Sequence, residues 1–439
     1  MAAAGGVLVT VQVRVAAFLR RARPSAVAVA APAGIDPLHG LGTGFAGLAV
    51  HCRAADDVLA AFAAAFTRLL PGGELLLVDH APCAPAQGNG FTRHSVAGYA
   101  GFTACGELER IDGAELTRWQ REPAVRWRAA PLGEQDLDAL ASLFTRAFDV
   151  PFDAGLWQWK YGQGRGYNVG VWAQDRLIAH YGIERRDTLL AGERLAGCHV
   201  GDVMVDPQVR GVLTRRGPFQ RAAAALIESQ VGQGRPLQFG VGFPNARAAR
   251  LGVRLGLYAP VGEVIELRWP ARPWHGAGAG PVRRLDLRRA ADAALAQQAW
   301  ARLAADLPRA AIDVRDVGYL QRRYDRHPRH TYRLLAIGRD RPGVVAVRLH
   351  RRSVEILDVL GALAELPGLL QAAAGYGARR ARRGAFLWAS RQHAAQLALP
   401  QARQIELGIV TVANAWSRGV PPAALEHRWW LTGGDTDFR

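Results

Sequence analysis

Residues 156–161 read LWQWKY and residues 319–324 read YLQRRY. After each comes a strand, a polar break and another strand: VGVWAQDRLIAHYG in the first copy, RLLAIGRDRPGVVAVR in the second. Two copies at one spacing predict a duplicated domain and not a solenoid, which needs at least three repeats to bury a continuous core. The glycine- and proline-dense stretch ARPWHGAGAGPVRR, residues 271–284, reads as a flexible linker between the copies. The expected organisation is therefore a leading segment 1–125, a first domain 126–270, a linker 271–284 and a second domain 285–439.

The leading segment differs in pattern. AVAVAAP, GLAVHC and ELLLVDH read as buried strands, and residues 56–70, DDVLAAFAAAFTRLL, as a helix with apolar residues at three- and four-residue spacing, stopped by PGG. Strands alternating with helices predict a small parallel α/β layer. At the extreme N-terminus VLVTVQVRV alternates like a strand, so it reads as part of the fold and not as a targeting segment.

The first domain opens with GEQDLDALASLFTRAF, a helix with acids in its first turn, where the helix dipole favours them. Short apolar runs broken by polar pairs then predict an antiparallel meander. It leads to VMVDPQVRGVLTRRGPF, residues 203–219: a strand, a loop dense in glycine and arginine, and Pro218 opening an alanine-rich helix. A strand–loop–helix junction aims several backbone N–H groups one way, and the helix end adds roughly half a positive charge. Gly211 and Gly217 are expected to take positive φ and admit close approach. Arg210, Arg215 and Arg216 add charge-assisted donors, and Pro218 suits the first helical position. The loop reads as a pyrophosphate cradle, with a solvated basic turn as the alternative.

VMVDPQVRG resembles the fourth strand and pyrophosphate loop of the GCN5-related N-acetyltransferase (GNAT) family, and GFPNARAARLGVRLGLY resembles its later strand and helix. The resemblance covers about residues 126–266. It implies a mixed, mostly antiparallel sheet with flanking helices and a V-shaped slot between two splayed strands. Acetyl-CoA, or another acyl-CoA, is the implied co-substrate. Val203, Met204 and Val205 would lie along the pantetheine arm. Arg210, Gly211, Arg215, Arg216 and Gly217 would surround the pyrophosphate, and Asn245, in the later strand–helix, is a further cofactor-binding candidate. Two departures stand out: extra residues LTRR at 213–216, and Gly252 where the family often places a tyrosine as general acid. Tyr258, six residues on, is the substitute candidate, with a packed core tyrosine as its alternative.

The implied reaction is acyl transfer from a thioester to a small-molecule amine. The amine must lose a proton, so a base is needed within hydrogen-bond reach. His199 and Asp202 are the candidates, on opposite faces if their strand is regular. No G-x-S-x-G and no Cys–His nucleophile pair appears, so no covalent intermediate is expected. A non-catalytic acyl-CoA-binding scaffold is the competing reading.

The formal net charge of +17 invites a nucleic-acid partner. However, the arginines are spread along the chain and Lys160 is its only lysine, which reads as coding bias. No specific nucleic acid, membrane span or metal is expected. Cys52, Cys83, Cys105 and Cys198 are not arranged as CxxC, which suggests a reduced, cytoplasmic protein. FTRLLPGGELLLVDHAP resembles the late helix and strand of class I methyltransferases. Residues 40–47, GLGTGFAG, lead into a strand, so S-adenosylmethionine binding is not expected. The second domain lacks an arginine loop: VEILDVLG runs directly into ALAELPGLL. It is expected to wall the acceptor site without binding a second CoA. Trp429 and Trp430 read as core, and Asp435, Asp437 and the terminal carboxylate as candidates to hold a cationic acceptor.

Overall fold

The computed structural model describes residues 12, 14–20, 26–30, 38, 41–52, 57–79, 93–106, 108–111, 113–214, 217–270, 280–381, 384–400 and 402–436. They form two sheets. The first contains β1 (Ala26–Ala30), β2 (Phe45–Cys52), β3 (Leu69–Asp79), β4 (Phe102–Ala104), β5 (Glu109–Ile111) and β6 (Ala114–Arg121). β1, β2 and β3 are parallel, as the alternating pattern predicts, while β6 closes antiparallel on β3 and carries β4 and β5. Helix α1 (Val58–Arg68) is capped by Asp57, which accepts from Leu59 N and Ala60 N. Helix α2 is Arg93–Ala100.

Two local expectations fail here. PGG does not separate helix from strand. It lies inside β3, with Gly72 at φ 78° where the β2–β3 register shifts. Pro71 has no N–H to give the ladder, so a bulge absorbs it. Of the run 7–15 read as a strand, residues 12, 14 and 15 are helical, with the helix continuing to residue 20, and the others lie outside the described residues. Val15 and Phe18 sit three apart and bury together against Ala49, Leu76 and Val78, so one helical face outweighs the alternation.

The second sheet contains β7 (Arg128–Pro131), β8 (Gly166–Ala173), β9 (Arg176–Leu190), β10 (Glu193–Val205), β11 (Phe239–Gly242), β12 (Tyr258–Trp269), β13 (Val282–Arg284), β14 (Ala311–Asp313), β15 (Arg333–Ile337), β16 (Gly343–Leu349), β17 (Ser353–Leu360), β18 (Gly384–Ser390) and β19 (Arg403–Asn414). Its helices are α3 (Leu137–Phe148), α4 (Ala154–Tyr161), α5 (Pro218–Gln230), α6 (Ala246–Arg254), α7 (Ala290–Asp306) and α8 (Leu366–Ala381). The strand order is β13-β15-β16-β17-β18-β12-β19-β11-β10-β9-β8-β7, with β14 on β9. Every pair is antiparallel except two, β10 with β11 and β17 with β18. The fold is thus mixed α/β, mostly antiparallel, with flanking helices.

The ends of the two halves are exchanged. β12, from the first half, lies between β18 and β19; β19, from the second, lies between β12 and β11. The C-terminal part of the expected linker is itself a strand, β13. The first sheet docks through α1 and α2, whose Phe62, Val96 and Ala97 share a core with Ala222, Ala223 and Leu226 of α5. Polar ties join in: Tyr167 donates to Asp57, and Tyr99 and Trp416 both donate to Glu228. No helix among the described residues is long and apolar enough to cross a membrane.

Candidate functional site: a cleft between splayed strands

β10 and β11 pair only from Gly197–His199 to Phe239–Val241. Beyond that they diverge, and a cleft of about 670 Å³ opens between them. Val200, Gly201, Asp202 and Val203 line one side; Gly242, Phe243, Pro244 and Asn245 line the other. The divergence coincides with a bulge. Against β9, the β10 register slips between Gly201 and Met204, and Asp202 sits at φ 49°. A left-handed non-glycine residue costs on the order of 1–2 kcal/mol and needs support. Lys160 Nζ lies 2.9 and 2.8 Å from the two Asp202 carboxylate oxygens, Tyr161 OH donates at 2.9 Å, and the Asp202 carbonyl lies 2.6 Å from His180 Nδ1. Burial works to raise the Asp202 carboxyl, but the Lys160 ammonium and the Tyr161 hydroxyl hold it below its ordinary value.

At the loop end, α5 begins at Gly217 with Pro218 in its first turn and no side-chain cap. The N–H groups of Phe219 and Gln220 have no acceptor within the helix at such an end. Gln220 is buried with both side-chain polar atoms unpartnered. Neither predicted glycine adopts positive φ: Gly217 is at φ −74°, and Gly211 is not among the positive-φ residues. Gly217 matters for another reason, since a Cβ there would stand 2.2 Å from the Val212 carbonyl oxygen. Nothing crowds Gly211. Arg210 folds back onto the carbonyls of Val205 and Ala147, bracing the loop against the end of α3. Arg215 and Arg216 lie outside the described residues.

Along the slot, Val203 lines the cleft, whereas Met204 points to the opposite face and buries with Leu140, Leu143 and Tyr161. Val205 does not reach the cleft and packs at the edge of the main core. Asn245 lines the cleft and caps α6, accepting from Ala248 N at 2.9 Å. Tyr258 also lines it, its hydroxyl 2.7 Å from that of Tyr181. Its ring occupies the room beside Gly252, where a Cβ would meet Tyr258 Cδ2 at 2.0 Å. Burial raises both tyrosine hydroxyls, so each keeps its proton at neutral pH. Cys198 lines the cleft too, but burial pushes its thiol up to about 12, which leaves it un-ionised and inert as a nucleophile.

His199 and Asp202 do point apart. His199 faces away from the cleft, with Nε2 2.8 Å from Asp313 Oδ2 though out of line for a hydrogen bond, and Nδ1 3.2 Å from the Asp435 carbonyl. Burial opposes its protonation, but Asp313 overcomes that and raises it, so it is a poor free base. Asp435 is no ligand for a cationic acceptor. It is buried and held by Arg315 Nη2 at 2.8 and 2.6 Å, while Arg315 Nε binds Asp358 at 2.8 Å. The segment carrying it threads through the half–half junction in short bridges and one 3-10 turn. Trp429 and Trp430 are core, as expected. Asp437 and the terminal carboxylate lie outside the described residues.

Sequence reasoning missed the four basic residues of the cleft: Lys160, His327, Arg329 and His330. Lys160 carried a readable signal, as the only lysine among 55 basic residues. The other three come from the second half and reach the cleft only through folding.

Residues 128–255 match the acetyltransferase (GNAT) domain. That GNAT match runs from β7 through α6 and covers less than a third of the chain. Two solved structures are similar in fold. One is the protein from Enterococcus faecalis described as a "Probable N-Acyltransferase", at 12% identity and TM-score 0.52, over 66% of this chain and 73% of that one. The other is a GCN5-related N-acetyltransferase from Kribbella flavida, at 19% identity and TM-score 0.51, over 65% and 70%. No curated protein matches the sequence.

Proposed function

We propose that the chain is an N-acyltransferase that takes its acyl group from an acyl-CoA, acetyl-CoA foremost, and passes it to an amine. The carrying observation is the pairing of Gly252 with Tyr258 in the splayed cleft: the tyrosine hydroxyl absent from the helix is supplied by the next strand. In the reaction, the amine nitrogen attacks the thioester carbonyl carbon, the C–N bond forms, the C–S bond breaks, and one proton passes from nitrogen to sulfur. The uncapped start of α5 and the Gly217 turn suit the pyrophosphate. Past His199, β10 is free of β11, so its backbone from Val200 to Val203 faces the slot and can pair with the pantetheine and the thioester oxygen. Tyr258 stays protonated and is the donor for the leaving sulfur. Asp202, ionised beside Lys160, orients the amine, and because it is held below its ordinary value it is a weak base, so the proton leaves the amine through water lying against it.

One cofactor site per chain follows. At the start of α8, the counterpart of α5, Glu365 accepts from Ala362 N at 3.0 Å and Asp306 from Leu363 N at 2.8 Å. Those amides already serve carboxylates, which repel a phosphate. The exchange of β12 and β19 and the two parallel pairs support reading the halves as a duplicated domain, with 271–284 joining them. The first sheet is assigned a structural role as a methyltransferase-like remnant, and the protein a cytoplasmic place. The test is calorimetric titration with CoA together with thiol release from acetyl-CoA over an amine library. One CoA per chain and amine-dependent release are expected. Replacing Arg215 and Arg216 by alanine should weaken CoA by about 1–3 kcal/mol. CoA binding with no release to any amine would favour the scaffold reading.

A further inference from the structure

Granted acyl transfer at this cleft, we infer that the acceptor is an α-amino acid with an apolar side chain: an amine and a carboxylate on neighbouring atoms, attached to an apolar body. Three features of the cleft point there.

The first is charge. Asp202 is the only carboxylate lining the cleft among the described residues, and three of its contacts go to Lys160 and Tyr161. A carboxylate offers about four acceptor positions, so one remains for an amine. Of the two cations in the lining, Lys160 is bound to Asp202, and Arg329 is ion-paired with Asp153 Oδ2 at 3.3 Å but more than half exposed, so it can turn to a second carboxylate. Asp202 and Arg329 together therefore offer the complement of an amino acid head group, negative for the amine and positive for the carboxylate. A polyamine would bring several ammonium charges with no further carboxylate to meet them.

The second is an idle donor. His327 Nδ1 accepts from Arg329 N at 3.2 Å and His330 N at 3.1 Å. The proton therefore sits on Nε2, which is buried and unpartnered. Such a donor costs on the order of 1–3 kcal/mol until an acceptor oxygen reaches it. Burial and the charges of Arg323, His330, Arg348 and Arg329 push His327 down to about 3. Burial and Arg348, Arg329 and Arg323 lower His330 likewise, against Glu355. Both rings stay neutral in a positive field. The same field favours an anionic group on the acceptor and helps its ammonium release a proton.

The third is the wall. Phe144, Phe148, Val150 and Leu156 also line the cleft. Phe148 and Val150 are 46% and 49% exposed, an unusual waste of large apolar side chains beside a cleft. An apolar side chain lying on them would cover both.

The experiment uses the full chain, acetyl-CoA and thiol release, comparing phenylalanine and leucine with their amides and with spermidine. The amides keep the amine and the apolar body and lose only the carboxylate. Their KM should be about tenfold higher, the scale of one charge-assisted contact. Spermidine should release no thiol. Arg329→Gln, at an exposed position, should raise KM for the acids more than for the amides and so narrow the gap between them; His327→Ala should raise KM for both, because the amide carbonyl oxygen also accepts from Nε2. Equal KM for acid and amide, preference for spermidine, or no release with any of these amines overturns the inference. CoA titration separates the failures. If CoA binds and other amines are acylated, only the acceptor class falls; if CoA neither binds nor is released, the acyl-transfer reading falls with it.

Discussion

A Cβ at position 252 would stand 2.0 Å from Cδ2 of Tyr258. The two positions are therefore one device: glycine in the helix makes room for a ring arriving from the strand. Tyr258→Phe keeps the ring and removes the hydroxyl. Loss of a general acid lowers kcat by about 10²-fold or more, while KM for acetyl-CoA should hold. Tyr181 loses its 2.7 Å partner, so stability should fall by about 1–3 kcal/mol. Steady-state kinetics and a thermal melt on the same preparation separate these effects; a lower melting temperature with unchanged kcat would reduce Tyr258 to a packing residue. The sequence carried half of this device. Gly252 was legible as a departure and Tyr258 as a candidate, but their contact depends on the turn between α6 and β12. His199 reads as an equally good base until the face it occupies is known. There it meets Asp313, which belongs to a segment over a hundred residues away.

At the scale of elements, the strand–loop–helix junction was legible and its inner workings were not. The order of proline, glycine and arginine located the loop, because few other sequences make that turn. What could not be read was how each residue serves. Gly217 answers to a carbonyl oxygen at 2.2 Å rather than to positive φ, and Arg210 braces the loop. Gly217→Ala should therefore shift the loop off the helix end, because Val212 backbone cannot yield as a side chain would. CoA affinity should fall by about tenfold or more, a change of at least about 1.4 kcal/mol. The melting temperature should move little, since the loop is at the surface and the α5 core of Ala222, Ala223 and Leu226 is untouched. Calorimetry on the variant decides it, and unchanged CoA affinity would place the pyrophosphate elsewhere. The bulge at Asp202 was similarly hidden: GDVMV reads as regular strand, and only the clamp from α4 reveals why it bends.

For the whole molecule, the repeat predicted two domains joined by a linker, and the topology answers with one sheet. Local patterns identify strands but not their neighbours, so nothing in residues 258–269 announced that they pair with residues 384–414. In the fold, β12 has a second-half strand on each side, and β11 has β19 on one side. Val264, Ile265, Leu267 and Trp269 are all buried by that arrangement. A chain ending at residue 270 would leave β12 with two open edges and those four side chains facing water, a template for aggregation. It would also lose His327, Arg329 and His330 from the cleft. Residues 1–270 alone should therefore be insoluble or melt without a cooperative transition. The cut itself is not the harm. Residues 1–270 and 280–439 produced together as separate chains should assemble one to one, because each supplies the strand the other lacks. That complex should bind one CoA. Co-purification, a single cooperative melt and CoA titration would test it, and a monomeric, cooperatively folded 1–270 that binds CoA by itself would mean the exchanged strands are dispensable.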